Sequence, residues 1–310
     1  MPMLIDWHAH HTAPEVAEWA GQLSGRAPRP DPYDSPDFAR RIAEMDGAGV
    51  DVQLISQGAG LNADGLPSAQ AIQLVRASND AVAERVAPYP DRLFGNVAIT
   101  WNDVEASVEE IERNAARGFK AVLMYARPAA ADSPEADPIF AKIDDLGLPI
   151  FLHGGGAGGR GDPSLGRLED GGQGVIVSAL ADAAVSECVV RMIAAGVFDR
   201  HPGLQVVIRS SGGGIPLLLS KLWWKHNGPE GEQRYSDVLL DHFLVDCASA
   251  SPRTLQFLID TMGEDRVVFG SDYCGGLGPL EKGVRVIDDQ PDPTRVRALT
   301  ERNSRRLLGL

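Results

Sequence analysis

Pro149-Ile150-Phe151-Leu152-His153-Gly154-Gly155-Gly156 is an unbroken apolar run that stops at a histidine and opens into glycine. A half-exposed strand alternates apolar and polar residues; a continuous run marks a strand buried on both faces, as in parallel sheets. Seven further short apolar runs, most of them continuous, cover residues 4–7, 50–56, 93–100, 120–126, 205–211, 243–249 and 266–270. Amphipathic stretches separate them. The segment 37–45 ends at Gly47 and Gly49, a glycine stop. Helices are also expected over 69–86, over 104–117 before Gly118, and over 182–195 before Gly196. Eight strands alternating with helices predict an α/β fold, and the count of eight favours a closed (β/α)8 TIM-like barrel over an open sheet. Residues 1–310 read as one domain, with no internal repeat and no low-complexity block.

Two stretches interrupt the alternation and predict loop insertions after strands one and five. Residues 21–36 are rich in Pro, Arg and Asp, and residues 154–174 are rich in glycine. Both leave the C-terminal ends of strands, where a barrel places its active site. Composition narrows the partners. Lys and Arg number 29 against 43 Asp and Glu, a net charge of −14. That balance argues against sequence-independent binding to nucleic acid and against adhesion to anionic membranes. Cys188, Cys247 and Cys274 are odd in number and form no CxxC pair, which fits a reducing compartment. The first residues show no basic region followed by a long apolar run, and no apolar stretch reaches about 18 residues. A soluble, cytoplasmic protein is expected.

Strand one ends in Asp6-Trp7-His8-Ala9-His10-His11. Residues two apart on a strand share a face, so His8 and His10 can both hold one divalent cation at the barrel mouth. A surface-loop histidine pair is the plainer alternative. His11 reads as exposed or as a support for its neighbours. His153 ends its strand directly before glycines, as a third ligand would, or is a satisfied core histidine. Asp272, in Val267-Val268-Phe269-Gly270-Ser271-Asp272-Tyr273, ends the last strand. A carboxylate there can bind metal and shuttle a proton, or simply cap a helix.

These residues, with Met45-Asp46-Gly47-Ala48-Gly49-Val50-Asp51, Gly118-Phe119-Lys120-Ala121-Val122, the segment 193–204 and Phe269-Gly270-Ser271-Asp272-Tyr273, carry a resemblance over nearly the whole chain. The sequence resembles the amidohydrolase superfamily, in the branch of aminocarboxymuconate semialdehyde decarboxylase and related aromatic-acid decarboxylases. The resemblance implies a distorted (β/α)8 barrel with one catalytic metal, zinc foremost or manganese; three histidines and a carboxylate also suit iron. It carries the metal ligands onto His8, His10, His153 and Asp272. It also implies a histidine at the end of strand six, the base that activates metal-bound water. Here that position is Ser211, within Arg209-Ser210-Ser211-Gly212-Gly213. A serine hydroxyl is no base near neutral pH without help. Either Asp272 transfers protons alone, or Ser211 positions substrate or water, or the chemistry has changed.

If Ser211 faces the barrel, Arg209 lies on the same side. There it can grip a substrate carboxylate in bidentate fashion, or pair with a buried acid such as Asp246. Tyr125 and Arg127 after strand four, Arg160 in the glycine-rich loop and Arg29 in the first loop are weaker candidates for substrate contact. Lys120, at the start of a strand, belongs to the barrel bottom, which argues against a carbamylated lysine bridging two metals. His201 belongs there too, and His226 and His242 lack ligand-like settings. Trp223-Trp224 reads as packing or a subunit interface, since members of the resembled branch are commonly dimers.

The expected function is non-oxidative decarboxylation of a small anionic aromatic or dienoic acid, with Asp272 as proton carrier. Hydrolysis of a lactone, amide or ester is the alternative. An iron-dependent oxygenase and a non-catalytic binding barrel are more remote.

Overall fold

The computed structural model describes residues 1–24, 31–155, 170–225 and 234–310. Eight strands form one parallel sheet in sequence order. They are β1 Ile5–His11, β2 Val52–Gln57, β3 Leu93–Ala98, β4 Ala121–Tyr125, β5 Ile150–His153, β6 Val206–Ile208, β7 Phe243–Asp246 and β8 Val267–Val268. The Trp7 N–H donates to the Phe269 carbonyl and the His10 N–H to the Tyr273 carbonyl, each at 2.9 Å. These bonds join the last strand region to the first and close the expected barrel. Apart from half-buried Phe94, every strand residue is buried. That is why the runs read as continuous rather than alternating.

The helices are α1 Pro14–Ser24, α2 Phe38–Ala48, α3 Ser68–Val86, α4 Val104–Ala115, α5 Pro128–Ala131, α6 Asp137–Asp145, α7 Asp170–Ala194, α8 Val197–Arg200, α9 Arg209–Gly212, α10 Ile215–Lys225, α11 Tyr235–His242, α12 Pro252–Met262, α13 Leu280–Asp288 and α14 Pro293–Leu308. Their ends follow local chemistry. The Asp37 carboxylate accepts the Ala39 N–H at the start of α2, and Gly49 ends that helix at φ 70°. Asp103 and Ser251 cap α4 and α12 in the same way. Among the described residues, no helix is long and apolar enough to cross a membrane.

Three expectations need correction. Strand six was expected to reach Ser211, but β6 stops at Ile208, because Ser210 and Ser211 take left-handed φ values of 49° and 61° and turn the chain out of the sheet. The first insertion is not a plain loop from residue 21, since α1 runs through Ser24. The helix expected from 182 begins at Asp170, which shortens the second insertion. Residues 156–169 of that insertion lie outside the described residues.

Packing against the sheet is close at Gly95 of β3. A Cβ built there would lie 2.3 Å from the Phe119 ring. Gly95→Ala is therefore expected to destabilise the fold by about 1–3 kcal/mol through overpacking. Calorimetry should show a lowered Tm for Gly95→Ala and partial recovery in Gly95→Ala with Phe119→Leu. An unchanged Tm in the single variant would refute the clash.

Candidate metal centre

The C-terminal ends of β1 and β5 and the turn after β8 bring three imidazoles and a carboxylate together. One nitrogen each from His8, His10 and His153 lies within 4.8 Å of the others. His8 Nε2 and His10 Nε2 stand 3.1 Å apart. Asp272 Oδ1 lies 3.1 Å from the first and 3.2 Å from the second. The three rings meet edge to face at centroid separations of 5.0–5.2 Å. All four residues are buried, and the Asp272 side chain keeps 11% of its surface open.

The outer ring nitrogens decide which way the lone pairs point. His8 Nδ1 sits 2.7 Å from Asp246 Oδ2, His10 Nδ1 is 3.1 Å from the Gln57 carbonyl, and His153 Nδ1 is 3.1 Å from the Gly154 carbonyl. Each acceptor calls for a proton on that Nδ1, which turns each Nε2 toward the shared centre as the atom that a second proton or a metal ion would occupy. Among the described residues, His153 Nε2 is buried without a hydrogen-bond partner. Lone pairs and a carboxylate facing one another at about 3 Å repel unless a cation or proton lies between them. The residues therefore fit a divalent ion. Three imidazoles and a carboxylate suit zinc, manganese or iron alike.

Electrostatics follow from this arrangement. Burial opposes charge on His8, but the Asp272 and Asp246 carboxylates outweigh it and push its pKa up to about 10. Burial also opposes ionisation of Asp272, yet His8 and His10 hold its carboxyl well below the usual range. His153 moves the other way. Burial, then the nearby Arg209 charge, keeps it neutral. Burial raises the Tyr125 phenol as well. The turn that presents Asp272 leaves no room for a side chain beside it, since a Cβ at Gly275 would lie 1.9 Å from Asp272 Oδ1.

The other expected residues sort by position. Arg209 does not pair with Asp246. Asp246 is held by His8 on another strand, while Arg209 Nη2 donates to Asp182 Oδ1 of α7 at 2.7 Å. Its side chain is 11% exposed, its Nε is buried without a partner among the described residues, and its guanidinium lies over Gly154 next to His153. The shared-face argument for Arg209 and Ser211 fails, because the strand ends at Ile208, before both of them. The Ser211 hydroxyl donates to the Ala248 carbonyl at 3.0 Å, and its N–H to Asp246 Oδ1 at 3.3 Å.

Tyr125 stands edge-on to His153 at 5.6 Å, with its hydroxyl 3.5 Å from the Gly58 carbonyl. Arg127 is exposed at the rim and donates to Asn102 Oδ1 at 2.5 Å. Arg29, Arg160 and His226 lie outside the described residues. His11 is buried, not exposed, with Nδ1 2.8 Å from Asp34 Oδ1. Lys120 lies beside Phe94 at the start of β4, His201 pairs with Asp137 at 3.0 Å, and His242 donates to the Leu204 carbonyl. None of these three joins the cluster. Asp246, Asp182 and Gln57 were not picked out as site residues. Asp246 does end an apolar run, the same signal that marked His153.

The amidohydrolase family profile matches residues 5–310. The chain is 28% identical over 257 residues to gamma-resorcylate decarboxylase of Rhizobium sp. (strain MTP-10005), covering 75% of each chain. It is 26% identical over 255 residues to 2-amino-3-carboxymuconate-6-semialdehyde decarboxylase of Dictyostelium discoideum, covering 78% of this chain and 68% of that one. In fold it is similar to 5-carboxyvanillate decarboxylase from Sphingomonas paucimobilis, with a TM-score of 0.83, 24% identity and full coverage of both chains. It is also similar to a dihydroxybenzoic acid decarboxylase from Polaromonas sp. JS666, solved with bound manganese and the inhibitor 2-nitroresorcinol. That match has a TM-score of 0.79 and 21% identity, and covers 100% of this chain and 98% of that one. With its barrel, its histidine cluster and a profile match across almost its full length, this chain belongs to the amidohydrolase family.

Proposed function

We propose that the protein is a metal-dependent non-oxidative decarboxylase of a small aromatic or dienoic carboxylic acid. The observation that carries this reading is the convergence of His8, His10, His153 and Asp272 beside an arginine with a buried, unpartnered Nε. The decarboxylases among its relatives support it. His8, His10, His153 and Asp272 would hold one divalent ion, zinc or manganese; the manganese of the Polaromonas structure supports the latter choice. When bound, the ion supplies positive charge that stabilises an anionic substrate and the charge developing on it.

Each remaining part falls to a side chain. Arg209 offers Nε to the substrate carboxylate while Asp182 steadies the far side of its fork. Tyr125 and Arg127 border the same mouth, and Arg29 belongs to the insertion after β1. Ser211 positions substrate or water; its hydroxyl proton is committed to Ala248, so its lone pairs are what it can offer. Proton transfer falls to Asp272. Of the carboxylates around the cluster, Asp6 and Asp246 are wholly enclosed, whereas Asp272 reaches the opening. Asp272 relays a proton from solvent at the opening to the carbon that bears the carboxylate. As that C–H bond forms, the C–C bond breaks, its electron pair returns to the conjugated system and carbon dioxide leaves. The three buried thiols fit a reducing cytoplasm, and exposed Trp223 and Trp224 on α10 fit the face of a homodimer.

Carbon dioxide release from 2,6-dihydroxybenzoate, 5-carboxyvanillate and related acids tests the reading directly. We expect turnover that chelation abolishes and manganese or zinc restores. Release of an alcohol or amine from a lactone, ester or amide, with no carbon dioxide from any acid, would replace decarboxylation by hydrolysis. Asp272→Asn should lower kcat at least about a hundredfold with an unchanged circular dichroism spectrum; full activity would remove Asp272 from proton transfer. Arg209→Met should raise KM about tenfold or more, with a smaller change in Tm. A large fall in Tm with unchanged kinetics would make its bond to Asp182 purely structural.

A further inference from the structure

The inner face of α2 carries Phe38, Arg41 and Met45, and all three are buried. Two of these fill space between helix and sheet. An arginine there is unexpected, because a buried guanidinium costs several kcal/mol unless its hydrogens are satisfied. Arg41 is 2% exposed and bonds in several directions. Nη1 donates to Gln53 Oε1 at 2.9 Å. Nη2 donates to the His10 carbonyl at 2.7 Å and lies 3.4 Å from both Asp34 Oδ1 and Cys274 Sγ. The plane of the group lies between the rings of Phe38 and Tyr273, each centroid 4.9 Å away.

These contacts end on the segments that present the convergent side chains. The His10 carbonyl binds Arg41 and the His10 N–H binds the Tyr273 carbonyl, so the backbone of this residue is held at both polar groups. Cys274 lies two residues beyond Asp272, in a turn where both take left-handed φ values, 64° and 55°. Such geometry costs a non-glycine residue about 1–2 kcal/mol and persists only where neighbours enforce it. Gln53 passes the link on. Its Nε2 donates to Asp6 Oδ2 at 2.9 Å, and Asp6 Oδ1 accepts the N–H groups of His8 at 3.1 Å and Ser271 at 3.0 Å. Arg41 thus sits where β1, β2 and the turn after β8 meet, tied to His10 directly, to Asp272 through its turn and to His8 through Gln53 and Asp6.

We propose that Arg41 is a positioning residue that clamps the His10 strand end to the Asp272 turn and so sets the metal affinity of the site from behind the barrel wall. It touches neither substrate nor ion. A planar fork satisfies acceptors on separate strands at once, which a lysine ammonium on its flexible stem does not. The inference rests on the metal centre described above.

Its test is zinc affinity of the full chain, stripped of metal and titrated against a competing chelator well below Tm. Three variants are compared with wild type. Arg41→Met removes charge and fork. Arg41→Lys keeps the charge between the two rings and loses the fork. Gly95→Ala is destabilised on β3, away from the cluster. Loss of a group that orients metal ligands costs about 10–100-fold in affinity. Arg41→Met is therefore expected near the upper end of that range and Arg41→Lys near the lower. Gly95→Ala should stay within about threefold of wild type, as local geometry rather than global stability is at issue. The visible spectrum of cobalt(II) in the site should also differ between Arg41→Lys and wild type. If Arg41→Met does not fold, Arg41→Lys decides. Wild-type affinity and an unaltered cobalt spectrum in Arg41→Lys would overturn the clamp while leaving the metal centre intact. An affinity loss in Gly95→Ala equal to that in the Arg41 variants would overturn it as well. Failure of the wild-type chain to bind zinc or cobalt would overturn the metal centre, and the clamp with it.

Discussion

Three imidazole nitrogens and a carboxylate forced together in a buried space govern this molecule. His8, His10 and His153 each give up their outer nitrogen to an acceptor on the barrel wall, so the inner nitrogens have nothing to bind but one another, Asp272 or a cation. The barrel wall around them is built to hold that arrangement. Asp246 accepts the hydrogen bond from His8 Nδ1, and Gly270 makes room for Asp246, since a Cβ there would lie 2.9 Å from its carboxyl. A cation at the centre turns mutual repulsion into binding energy, which is the usual coupling between a metal site and the fold around it.

Around this centre, polar groups divide between those that hold and those that act. Asp6, Asp246 and Arg41 are sealed in and fully occupied with neighbouring backbone and side chains. Asp272 and Arg209 keep some opening, the first beside the imidazoles and the second above the end of β5. The turn at Ser210 and Ser211 commits Ser211 to Ala248 and Asp246.

The barrel was legible in the sequence because burial on both faces of a strand leaves a chemical trace that needs no partner to recognise. The same holds for His8, His10, His153 and Asp272, which stand where apolar runs stop. Local rules also placed the ends of α2, through Asp37 and Gly49. The left-handed turn after Ile208 was not legible, since serine carries no preference for positive φ and only packing against β7 imposes it.

Which charged groups meet across the barrel was decided by the tertiary structure alone. Arg209 pairs with Asp182 and not with Asp246, and Arg41 is buried beneath His10, because strands distant in sequence become neighbours only when the sheet closes. A strand's own pattern reports which face of each residue is buried. It holds no record of what stands opposite. Sequence therefore determined the architecture and the identity of the convergent side chains, which depend on local periodicity and chemistry. Pairing, proton placement and the route by which the ligands are held depend on distances across the closed barrel, and those existed only once the eight strands had come together.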